Sequence, residues 1–113
     1  MGKPTELVQG SLDLLILRTL QPGAMHGWGI AQRIHLLSRE VLQVRQGALY
    51  PALHRLEERG WVRAHWGESE QNRRARYYEL TAAGRRHLGK EQAQWDRLTD
   101  AIGHVLRPQE DQP

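Results

Sequence analysis

The chain has 113 residues, 39% of them apolar and 26% charged, the balance of a single soluble domain with a thin core. It has no cysteine, which excludes a disulfide framework and any zinc site built on thiolates. The net charge of +3 is unevenly spread: residues 45–90 carry ten Lys/Arg against five Asp/Glu, whereas residues 91–113 carry two against five. A basic middle points to a polyanion as partner, although solvated basic faces are common. The longest uninterrupted apolar run, Leu14 to Leu17, is far short of a membrane span, and Met1 to Glu6 does not open as a signal peptide. A soluble cytoplasmic protein with no membrane partner is expected.

Apolar residues recur at helical spacing from Ser11 to Leu20, at Leu12, Leu15, Ile16 and Leu20, with Leu14 and Leu17 widening the stripe. Ser11 is read as the cap of this first helix, and Gln21-Pro22-Gly23 as its stop. A second helix is expected from about His26 to Ser38, with Ile30, Ile34 and Leu37 inward and its start weakened by Gly27 and Gly29. Between Arg39 and Arg45, the residues Val41, Leu42 and Val44 fit a short extended piece. A third helix fits Gly47 to Arg59, with Leu49, Ala52, Leu53 and Leu56 inward, Pro51 near its start and Gly60 just past its end.

After Gly60 the period becomes two. Val62, Ala64 and Trp66 point one way and Trp61, Arg63 and His65 the other; Arg76 to Leu80 alternates as well, with Tyr78 and Leu80 inward. The polar stretch Gly67 to Ala75 reads as a long, flexible basic loop at the tip of a hairpin. Thr81 is a good cap for a last helix from Ala82 to about Leu106. That helix places Leu88, Trp95, Leu98, Ile102 and Val105 at heptad spacing.

Three helices followed by a two-stranded ribbon are the parts of a winged helix-turn-helix. The expected class is therefore mainly α (α+β), with residues 1–81 as the DNA-binding domain, 82–107 as a C-terminal dimerisation helix and 108–113 as a disordered tail. In such a fold the third helix enters the major groove, and the wing lies along the backbone or an adjacent minor groove. The candidate DNA contacts are Gln46, Gly47, Ala48, Tyr50 and His54 on the helix and Arg73, Arg74 and Arg76 on the wing. Arg45 and Arg55 are read as general electrostatic helpers. The candidate dimer interface is Leu12, Leu88, Trp95, Leu98, Ile102 and Val105. Two Trp95 rings facing one another across a two-fold axis can also bracket a flat aromatic effector. Trp61 and Trp66 are read as hairpin packing. The six histidines form no ligand pair, so no metal is expected, and neither a phosphate loop nor a nucleophile elbow occurs. No cofactor and no enzymatic activity are expected.

Four stretches carry a resemblance. Gln46-Gly-Ala-Leu-Tyr-Pro-Ala-Leu-His-Arg-Leu-Glu-Glu-Arg-Gly60 resembles the recognition-helix signature of the PadR family of transcriptional regulators. Gly10-Ser-Leu-Asp-Leu-Leu-Ile-Leu17, His26-Gly-Trp-Gly-Ile30 and Arg73-Arg-Ala-Arg-Tyr-Tyr-Glu-Leu-Thr-Ala-Ala-Gly-Arg85 are similar to the same family, in order and in register. Trp28 departs from it, standing where tyrosine is usual. A single terminal helix is similar to the shorter PadR subfamily. The resemblance implies a homodimer on a near-palindromic duplex DNA operator, usually a repressor, released in some members by small aromatic molecules. It puts Tyr50 on the signature tyrosine, Arg73, Arg74 and Arg76 on the wing, and Thr81 and Gly84 on the turn into the last helix. The rival reading is a winged-helix module for dimeric interaction or ligand sensing that does not bind DNA, against which the clustered wing arginines count.

Overall fold

The computed structural model describes residues 5–6 and 9–107. In chain order the elements are β1 (Thr5–Glu6), α1 (Gln9–Thr19), β2 (Met25–His26), α2 (Gly27–Leu37), β3 (Leu42–Gln43), α3 (Gln46–Glu58), β4 (Val62–Glu68), β5 (Arg74–Leu80) and α4 (Ala82–Leu106). The expected 108–113 tail lies outside the described residues.

The core forms where the apolar stripes of α1, α2 and α3 meet under the ribbon. Leu12, Ile16, Leu17 and Leu20 pack with Ile30 and Ile34, with Leu49, Ala52, Leu53 and Leu56, and with Val62, Tyr78, Leu80 and Leu88. Leu37, expected inward, ends α2 on the solvent side. β4 and β5 pair antiparallel with Val62 opposite Leu80 and Trp66 opposite Arg76. The ribbon gains a third strand, in the order β2-β5-β4, because Met25 and His26 pair with Tyr78 and Tyr77. Leu42 and Gln43 are extended as expected and pair in parallel with Thr5 and Glu6.

Three local readings are corrected. α1 begins at Gln9, so Ser11 lies inside the helix and does not cap it. The start of α2 is firmer than its glycines imply, since His26 caps it: the Gly29 N–H donates to His26 Nδ1 at 3.0 Å. The hairpin loop is shorter than its composition implies, because the strands continue through Glu68 and resume at Arg74. The turn is closed by the Asn72 N–H on the Ser69 carbonyl (3.0 Å) and the Ser69 N–H on the Arg73 carbonyl (2.8 Å). Asn72 takes a φ of 59°, a conformation asparagine tolerates better than most residues.

One joint connects α3, the ribbon and α4. Gly60, at φ 75°, turns the chain out of α3. The Thr81 N–H then donates to the Trp61 carbonyl at 3.1 Å, and the Thr81 hydroxyl donates to the Gly60 carbonyl at 2.6 Å. The same hydroxyl accepts the Gly84 N–H at 3.0 Å and so caps α4. Gly84 has to be glycine at this point: a Cβ there would fall 2.0 Å from the Trp61 carbonyl oxygen.

α4 runs for 25 residues, about 37 Å. Gly84 and Leu88 are buried, whereas Trp95, Leu98, Ile102 and Val105 are exposed. This divides the stripe expected to form the dimer interface. Leu12 and Leu88, each 2% exposed, are spent on the chain's own core and have almost no surface left for a partner.

Gly84→Ala is expected to destabilise the fold by about 1–3 kcal/mol through forced backbone movement. Gly89→Ala, where a Cβ meets nothing within 4 Å, is expected to stabilise α4 by about 0.5–1 kcal/mol. Urea unfolding of the two variants checks both signs, and a Gly84→Ala protein as stable as its parent would contradict the joint.

Candidate nucleic-acid interface

α3 buries Leu49, Ala52, Leu53 and Leu56, which turns Gln46, Gly47, Ala48, Tyr50, His54 and Glu58 outward. The Arg45 side chain makes no cap bond to the helix, and it is the Arg45 carbonyl that accepts the Ala48 and Leu49 N–H groups, at 3.0 and 2.9 Å. Pro51 lies beyond the first turn, further in than expected, and having no N–H it leaves the Gly47 carbonyl without its helical donor.

Tyr50 is 44% exposed, and one side of its ring lies directly on Gly27. A Cβ on Gly27 would approach the Tyr50 hydroxyl to 2.7 Å, so the bare backbone at the start of α2 is what lets the ring lie down. The hydroxyl is thereby held at the seam between α2 and α3. His54 Nε2 stands 3.4 Å from Glu58 Oε2, one turn along the helix.

Two ion pairs fix the orientation of α3. Arg55 Nη2 donates to Asp13 Oδ1 of α1 at 2.9 Å, both side chains being mostly buried. Arg55 is thus a strut between helices, in place of the electrostatic helper expected from sequence. On the other side, Arg76 Nη2 of β5 donates to Glu57 Oε2 of α3 at 2.9 Å. Arg76 belongs to the wing as expected, but a carboxylate of the helix already holds its charge. Beside it, burial pushes the Tyr78 phenol above its ordinary pKa against the opposing pull of Arg76, so the phenol stays neutral.

Arg73 and Arg74 sit at the wing's end, both exposed. The Arg74 guanidinium carbon lies 4.7 Å from the centre of the Trp66 ring, and that of Arg76 lies 5.9 Å from it. The sequence therefore located the wing cations but not what holds two of them: Trp66, read as hairpin packing, is exposed and lies under Arg74 and Arg76, and Glu57 pairs with Arg76. Strand register was the missing signal: pairing Val62 with Leu80 brings Trp66 opposite Arg76.

Away from this surface, Ser11, Leu14, Leu15, Arg18, Leu42, Gln92, Trp95 and Asp96 line a groove of about 410 Å³ between α1 and α4. Trp95, expected in the dimer seam, forms one wall of it and is 42% exposed. Among the described residues, no group of three His, Asp or Glu is placed to hold a metal ion. No described helix is long and apolar enough to cross a membrane.

Residues 16–90 match the transcriptional regulator PadR-like family. The chain belongs to that family. Solved structures agree. A protein of Streptococcus mutans is 26% identical, with both chains covered in full and a TM-score of 0.81. A PadR-like transcription factor of Bacteroides fragilis is 32% identical over 86% of this chain and 91% of its own, with a TM-score of 0.70. A PadR family transcription regulator of Clostridium difficile is 25% identical over 86% of this chain and 99% of its own, with a TM-score of 0.73. The PadR-like chain is by this membership a transcriptional regulator and not an enzyme.

Asp13→Ala is expected to cost about 1.5–3 kcal/mol, the range for a partly buried bond to a charged group. Arg55 Nε is already buried without a partner, so loss of the carboxylate strands the rest of its charge. Urea denaturation measures the loss, and the double variant Asp13→Ala/Arg55→Leu is expected to recover part of it.

Proposed function

We propose that this PadR-like chain represses transcription as a homodimer that binds a near-palindromic DNA operator. The observation that carries the proposal is the Arg76–Glu57 bond, which makes the wing and the outer edge of α3 one continuous surface. Gln46, Gly47, Ala48, Tyr50 and His54 are the proposed contacts from α3, with Arg73 and Arg74 reaching phosphate from the wing. Phosphate contacts supply affinity, and base edges met by α3 supply sequence preference. Residues 1–81 are the DNA-binding unit and residues 82–107 the dimerisation helix. The proposed location is the cytoplasm.

The second copy is the proposed partner of α4. Trp95, Leu98, Ile102 and Val105 form an exposed apolar stripe, of which Leu98, Ile102 and Val105 lie past the groove that Trp95 shares with α1. Pairing two such stripes buries them and sets two copies of α3 about 34 Å apart, one turn of DNA. A flat aromatic effector is the proposed regulator, taken into the groove that Trp95 shares with Leu14 and Leu15. It acts by preferring one dimer geometry, because equal affinity for two geometries shifts neither.

For the wing, Arg73→Ala and Arg74→Ala are each expected to reduce the salt slope of DNA affinity by about 1. Arg76→Ala is expected to change the slope by less, since Glu57 already offsets that charge. Titrations at several salt concentrations decide it; unchanged slopes for Arg73→Ala and Arg74→Ala would remove the wing from the interface. For the dimer, Leu98→Asp and Ile102→Asp are expected to give folded monomers that lose operator binding. Sedimentation tests this directly, and variants that remain dimeric would exclude the stripe.

A further inference from the structure

We infer that Trp66 is a positioning residue for DNA binding, holding the Arg74 guanidinium in place against its ring so that the guanidinium edge faces a phosphate. This inference rests on the proposed DNA reading.

One face of the ribbon carries Val62, Ala64, Trp66 and Glu68 from β4, opposite Leu80, Tyr78, Arg76 and Arg74 from β5. At the base of the ribbon this face is core, with Val62, Tyr78 and Leu80 buried. Two pairs further out it has left the core, and there Trp66 is 56% exposed. Among the described residues, no aromatic ring lies against this indole. Its neighbours are cations instead: Arg74 at 4.7 Å from the ring centre and Arg76 at 5.9 Å.

The two cations are held differently. Arg76 is tied to Glu57 of α3 at 2.9 Å. Arg74 stands opposite Glu68 in the ladder, yet its guanidinium lies over the indole. Stacking uses the face of a guanidinium and leaves its in-plane N–H donors free, and those are the donors that match the oxygens of a phosphate. An arginine on a bare ribbon must lose its rotamer freedom when it binds; one already resting on an indole has less to lose. The ring thus raises affinity without itself touching DNA. Since Arg76 anchors the same patch to α3, the aligned Arg74 keeps a constant place relative to the recognition helix.

The test compares the parent with Trp66→Ala, Trp66→Phe, Trp66→Leu, Arg74→Ala and the double variant Trp66→Ala/Arg74→Ala, each titrated with a mixed-sequence DNA duplex. Urea unfolding of each variant separates lost binding from lost folding. Trp66→Ala and Arg74→Ala are each expected to weaken binding by about three- to tenfold. The double variant is expected to bind within about twofold of Arg74→Ala, because the ring acts through that arginine. Trp66→Phe, which keeps an aromatic face, is expected to retain most of the affinity, whereas Trp66→Leu, which keeps only apolar bulk, is not. Should Trp66→Ala fail to fold, Trp66→Leu carries the same comparison. A Trp66→Ala or Trp66→Leu protein that binds like the parent overturns the inference, and so does failure of Trp66→Phe to rescue. Losses that multiply independently in the double variant also overturn it, since they would mean that the ring contacts DNA directly. A parent that binds no duplex removes the DNA reading itself, a result distinct from a parent that binds and loses nothing with Trp66.

Discussion

The joint at Gly60, Trp61, Thr81 and Gly84 is the constraint on which the rest of the molecule depends. Three elements with different tasks start or stop within a few residues of it: α3 ends, the ribbon opens and closes, and α4 begins. The Thr81 hydroxyl bonds to both sides of the crossing, donating to Gly60 and accepting from Gly84. The Trp61 carbonyl lies so close to Gly84 that no side chain fits between them. Trp61 is fixed further by His87, one turn along α4, whose ring stacks on the indole at 3.5 Å. The root of α4 cannot rotate independently of the recognition helix without breaking these contacts. A change in the proposed pairing of α4 is therefore passed to the proposed DNA surface.

Chain length supplies the other half of the explanation. A domain this small has a core that its first three helices and the ribbon nearly complete, and α4 adds Leu88 to it. Beyond that point Trp95 still lines the groove against α1, and Leu98, Ile102 and Val105 must find their cover elsewhere. The longest dimension of 62 Å reflects a helix that leaves the domain that roots it. An arm of this kind is stable only if its apolar stripe is buried, so the economy of the core and the proposed dimer are one physical statement.

Features carried by local chemistry were legible in the sequence. The start of α4 follows from the Thr81 cap and its length from the heptad stripe, and both bounds agree with the structure. The inward residues of α3 follow from their spacing. What could not be read depends on contacts between distant segments. Periodicity identified the face to which Leu88 and Leu98 both belong, but not where along it the domain stops covering the helix. The wing strands outrun their alternating pattern because Glu68 and Arg74 stand where there is no core to select an apolar residue. The two-residue β2 is too short to show any period. Arg55 and Arg76 read as free cations, since nothing local announces that Asp13 and Glu57 lie opposite them.

The central claim is that two such chains, joined through α4, present two copies of α3 to one face of a duplex. Hydroxyl-radical footprinting on DNA selected by the parent protein from a random pool tests it most directly. The account predicts two protected half-sites related by a two-fold axis, with centres about 10 base pairs or a multiple apart. A single unpaired half-site, or protection without defined spacing, would contradict it.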